Sequence, residues 1–84
     1  MLYGMATSPR ALPSTRELAV MARIAAAAED RGMTQAGLAT AAGISQPQMS
    51  RLLAGKRAVT LTELLPLLEA VGLSLSDVAR DLGL

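Results

Sequence analysis

The chain has 84 residues, 51% of them hydrophobic but only one aromatic (Tyr3), and a formal net charge of +1. This length supports one small domain near the lower limit for a single stable core, built here from Leu, Ala, Met, Val and Ile, a composition suited to helices. The lack of Cys excludes disulfide and thiolate chemistry, and no apolar run approaches the roughly 20 residues of a membrane span.

Residues 1–13 contain Gly4, Pro9 and Pro13 without helical periodicity and read as an N-terminal arm. This segment has no basic n-region or continuous apolar stretch, so it is a poor signal peptide and a cytoplasmic location is expected. Leu2, Tyr3 and Met5 are apolar for a free tail and could pack on a neighbour.

Residues 14–84 form the domain. Ser14 and Glu17 make a capping box that opens a first helix. Leu18, Met21, Ala22, Ala25 and Ala28 mark an apolar stripe, with Ile24 off it, and the helix stops at Arg31-Gly32. A second helix runs from the Thr34 cap through Ala42, its buried edge being Leu38, Ala39 and Ala42, with Gly37 a weak point. Gly43 breaks the chain, Ile44 plugs the core, and Ser45 caps a third helix with Pro47 in its first turn. There Met49, Leu52 and Leu53 point inward, leaving Gln46, Gln48, Ser50 and Arg51 outside; Gly55 ends the helix and Lys56 and Arg57 follow in the loop.

Thr60-x-x-Glu63 offers a capping box for a fourth helix, with Thr62 as an alternative cap. Pro66 forces a choice, because an interior proline loses a hydrogen bond and costs about 3 kcal/mol. The helix either begins late, with Pro66 in its first turn, or is kinked. The late start is expected, with Leu61 to Leu64 in a tight turn, core positions at Leu65, Leu68 and Val71, and Gly72 as the stop. Ser74-x-x-Asp77 caps a fifth helix with Leu75, Val78, Ala79 and Leu82 apolar, ending at Gly83; core closure accounts for Leu75 and Val78. The expected fold is all-α with five helices.

Charge is unevenly placed. Residues 1–30 are neutral overall, residues 31–62 carry Arg31, Arg51, Lys56 and Arg57 with no acid, and residues 63–84 have a net charge of −3. An acid-free basic block is the electrostatic footprint of a phosphate-binding surface. Two short helices joined by a tight glycine-containing turn fit a helix-turn-helix better than a helical hairpin.

The segment from Thr34 to Arg57, TQ..LA...GISQ..MSRLL.GKR, resembles the lambda-repressor-like (Cro/repressor, XRE) helix-turn-helix family, and the resemblance extends from about Ala22 through Leu82. It implies a five-helix domain that binds double-stranded DNA. By that resemblance Gln35 matches a phosphate-contacting position. Gln46, Pro47 and Gln48 match the start of the recognition helix, Ser50 and Arg51 its next exposed turn, and Lys56 a loop residue touching backbone. Ser45 at the cap and Arg57 beside Lys56 complete the candidate DNA-binding set. The side-chain chemistry agrees: Gln pairs bidentately with adenine and Arg with guanine, while Ser and Lys suit phosphate oxygens.

The pattern departs from the family at three places. Pro47 offers a base only apolar contact, Gly37 replaces a usual acid, and Ala28 and Leu53 stand where many relatives place an Arg–Glu pair. Losing both partners to apolar residues is the tolerable way to lose a buried ion pair.

Leu73, Leu82 and Leu84 are candidates for a two-fold dimer contact, since the family usually reads paired half-sites. With no His, no Cys, one Lys and no phosphate-cradling glycine motif, catalysis is not expected, nor is a cofactor or metal. The expected role is a repressor of phage or mobile-element type acting as a homodimer, regulated by concentration, site arrangement or a protein partner. The alternative is an antitoxin or adaptor that binds a protein through the arm or tail, with DNA binding secondary.

Overall fold

The structure is a computed structural model that describes residues 12–83; most of the N-terminal arm and Leu84 lie outside the described residues. Five helices follow one another: α1 (Thr15–Asp30), α2 (Gln35–Ala42), α3 (Gln46–Leu53), α4 (Leu61–Val71) and α5 (Leu75–Asp81). No strand occurs among the described residues, and none of their helices is long and apolar enough to cross a membrane.

α1 starts where its capping box predicts. The Ser14 hydroxyl accepts the Glu17 N–H at 3.2 Å, and the Ser14 N–H donates to the Glu17 carboxylate at 2.8 Å. The inward face keeps Met21 and Ala28 of the expected stripe but not the rest. Val20, Met21, Ile24 and Ala28 are buried, with Ile24 fully enclosed, whereas Leu18 and Ala22 face outward. The run Ala25–Ala28 caused the error: alanine is tolerated on either face of a helix, so spacing among alanines says little about direction. The bulk of Val20 and Ile24 sets the register instead.

α2 and α3 form the expected pair. Thr34 Oγ1 accepts the Gly37 N–H at 3.0 Å, and Gly43 adopts φ 74°, the left-handed conformation that lets the Ile44 N–H return to the Ala39 carbonyl at 3.0 Å. Ala39 is buried in this bend, and Ile44 packs against the core. The interior is centred on Ile24, Met49, Leu52 and Leu67, drawn from α1, α3 and α4. α2 packs on both α3 and α4, and α1 packs on the same two helices. α3 is therefore held along its inner side and left bare along its outer one.

α4 corrects the expected late start. It begins at Leu61 behind Thr60, and Pro66 lies inside it. The early start is secured by Glu63, whose carboxylate accepts the Thr60 N–H at 3.0 Å, and by the Leu64 N–H bonding the Thr60 carbonyl at 2.9 Å. Proline has no N–H to offer the carbonyl four residues earlier, that of Thr62, but Thr62 is exposed and water can serve it. Two of the three expected core positions hold, and the third moves from Leu65 to Leu67. Leu67 is fully buried beside Leu68 and Val71, and Leu65, expected in the core, is 44% exposed.

α5 is capped as expected: Ser74 Oγ accepts the Asp77 N–H and Asp77 accepts the Ser74 N–H, both at 3.0 Å. Val78 is buried, but Leu75, expected to close the core, is 53% exposed. A seven-residue helix turns barely twice and buries one narrow line, and Val78 with Leu82 supplies it. An exposed ion pair, Arg23 Nε to Asp81 Oδ2 at 2.6 Å, joins α5 to α1.

Candidate nucleic-acid interface

α3 carries most of the candidate residues. Ser45 caps it, its hydroxyl accepting the Gln48 N–H at 3.3 Å, and Pro47 occupies the first turn where a missing N–H costs nothing. Met49 and Leu52 are buried and Leu53 packs against the core, while Gln46, Pro47, Gln48, Ser50 and Arg51 are all exposed. At about 100° per residue these five side chains span an arc of roughly 200°. Gln46 and Gln48 stand at its two edges. Pro47 lies at its middle, followed one turn on by Ser50 and Arg51. The two amide side chains thus flank an apolar centre and do not form one adjacent pair.

Gln35 is exposed at the first position of α2. It borders a shallow depression of about 450 Å³ whose lining includes Ala28, Met33, Leu38 and Leu53. Ala28 and Leu53, the positions of the missing Arg–Glu pair, are therefore brought to the lining of one depression, and both are apolar.

The four cations between residues 31 and 62 do not behave alike. Arg51 and Lys56 are exposed, Lys56 in the loop after Gly55. Arg57 is turned back into the fold. Its Nη1 and Nη2 donate to Glu63 Oε1 and Oε2 at 3.0 and 2.6 Å, and the side chains are only 24% and 11% exposed. The Arg57 guanidinium in this two-pronged contact holds the Glu63 carboxyl down to about 2, helped by the Thr60 N–H, and the same contact raises the Arg57 guanidinium above its ordinary value. Arg31 lies over Gly72, at the carbonyl end of α4, so closely that any side chain at position 72 would collide with its guanidinium. One of the four charges, that of Arg57, is thus engaged inside the molecule, while Arg31 lies exposed over Gly72.

Glu63 is the residue that sequence reasoning missed. Its capping role was visible in Thr60-x-x-Glu63, but the acid-free block ended at residue 62, one position short of the carboxylate that neutralises Arg57. The i+6 spacing from Arg57 belongs to no helix or strand period, and only the loop geometry brings the two together.

Of the proposed dimer residues, Leu73 and Leu82 are partly buried and pack against the chain's own core, and Leu84 lies outside the described residues. The large exposed apolar side chains among the described residues are Leu12, Leu18, Leu61, Leu65 and Leu75.

Comparison with known proteins agrees with this geometry. A family model described as "Helix-turn-helix domain" matches residues 21–82. The crystal structure of the clp gene regulator ClgR from Corynebacterium glutamicum is similar at a TM-score of 0.69 and 30% sequence identity, over 82% of this chain and 72% of that one. No curated protein matches the chain.

Proposed function

The chain belongs to the helix-turn-helix family, and on that premise we propose that it is a sequence-specific regulator of transcription that presents α3 to the major groove of double-stranded DNA. One observation carries the reading: α3 is anchored by Met49 and Leu52 on one side and exposes an uninterrupted arc of Gln46, Pro47, Gln48, Ser50 and Arg51 on the other. In this reading Gln46 and Gln48 contact adenine edges, Arg51 reads guanine or clamps a phosphate, and Pro47 lies against a thymine methyl. Ser50, Lys56 and Gln35 hold the backbone, and Ser45 supplies the cap that sets the entry angle of α3. The similarity to a clp gene regulator supports transcription as the output.

A reading face of one helix with a proline at its centre specifies few base pairs. We therefore assign the working form to a homodimer on a two-half-site operator, and the role to a repressor of phage or mobile-element type. The exposed leucines favour one alternative, an antitoxin or adaptor that uses them to bind a protein and touches DNA secondarily.

The test is selection of bound duplexes from random DNA, then titration at several salt concentrations. Arg51→Ala is expected to cost about 1–3 kcal/mol and relax specificity at one position, whereas Lys56→Ala weakens all sequences alike and lowers the salt slope by about one. If Gln46→Ala, Gln48→Ala and Arg51→Ala leave specific affinity unchanged, α3 is not the reading helix.

A further inference from the structure

Glu63 is the one charged side chain buried among the described residues, and it holds two parts of the chain at once. It receives both prongs of Arg57 and the N–H of Thr60, fastening the end of the α3–α4 loop to the first turn of α4. The other end is fastened too. The Lys56 N–H bonds the Arg51 carbonyl at 2.9 Å, and Leu18 of α1 lies against Gly55 so closely that a Cβ there would come within 2.8 Å of its Cδ2. Between these anchors Lys56 is exposed.

We infer that Glu63, acting through Arg57, is a positioning residue of the DNA interface, fixing the loop so that Lys56 is held ready for a phosphate. The inference rests on the DNA-binding reading above. It assigns Arg57 a role other than the phosphate contact its place beside Lys56 suggests: the guanidinium becomes a strut, and its charge is surrendered to the carboxylate. A lysine held in place loses less conformational freedom on meeting its phosphate than one on a slack loop, so the arrangement exchanges one cation for the preorganisation of another. A plain electrostatic account makes the opposite prediction, since removing the Glu63 charge releases Arg57 and makes the loop more positive.

The sign of one measurement separates the two. The full chain is titrated onto the duplex it selects from random DNA, across a salt series, for the wild type, Glu63→Gln, Lys56→Ala and the double variant. Helical circular dichroism and thermal midpoint are recorded for each. Positioning predicts that Glu63→Gln weakens binding about three- to tenfold despite the added positive charge, and that Lys56→Ala costs little more in that background, the non-additivity of residues in one network. Tighter binding with a salt slope steeper by about one marks Arg57 as a masked phosphate contact and overturns the inference, as do strictly additive effects. Arg57→Lys keeps the charge without the fork and carries the same cycle if Glu63→Gln does not fold, with weakening coupled to Lys56 as the supporting result. A wild-type chain that selects no duplex sinks the DNA reading itself; a failed cycle on a chain that does select one sinks only the role of Glu63.

Discussion

At the scale of single residues, Glu63 ties stability to pH. Its carboxyl titrates at about 2 in the folded chain and near about 4.3 when unfolded. A carboxylate whose folded value is lowered stabilises the fold fully above the unfolded value and loses that contribution as pH falls through the folded one. The thermal midpoint of the wild type is therefore expected to exceed that of Glu63→Gln at neutral pH, with the gap closing between about pH 4.3 and pH 2. A gap that stays constant down to pH 2 would contradict the ion pair. Ser14, Thr34, Ser45 and Ser74 were all legible as caps, because a cap needs only a short polar side chain and its own next three residues. The Arg57–Glu63 pair and the seat of Arg31 on Gly72 were not legible, because each depends on the path of a loop or on the approach of distant helices.

At the scale of elements, the helix-turn-helix is legible in Gly43, Ile44 and the alternation of inward and outward residues on α3, whose outer side is polar and inner side bulky. In α1 and α4 the expected faces hold only in part, at Met21, Ala28, Leu68 and Val71, and for opposite reasons. Alanines in α1 offer a periodicity that does not fix direction, whereas in α4 the cap at Thr60 and the burial of Leu67 outweigh the intrinsic penalty of Pro66. That penalty is still present in the folded chain. Pro66→Ala restores an N–H for the Thr62 carbonyl and is expected to stabilise α4 by about 1–3 kcal/mol, read as a raised urea midpoint at unchanged slope. A lowered midpoint would mean that the proline ring contributes more by packing than it removes from the helix.

At the scale of the whole molecule, Leu73 and Leu82 are committed to the core, so their replacement would confuse loss of a dimer with loss of the fold. Leu75, on the same C-terminal region and half exposed, is the cleaner probe. Leu75→Lys is expected to change stability by no more than about 0.5 kcal/mol and to shift the chain toward monomer in size exclusion with light scattering if α5 carries the two-fold contact. An unchanged dimer moves the contact elsewhere, and a wild type that stays monomeric at high concentration removes the dimer altogether. The tying up of Arg57 has a consequence for a chain that meets DNA of arbitrary sequence. Retention on arbitrary DNA grows with the number of phosphates a protein neutralises, and a genome offers about a million or more such decoy sites. On the proposed DNA-binding reading, a chain whose Arg57 charge is engaged by Glu63 has one cation fewer to hold it to arbitrary sequence. For the proposed regulator, a larger share of molecules then stays in the diffusing pool, and the occupancy of an operator follows the number of chains made more closely.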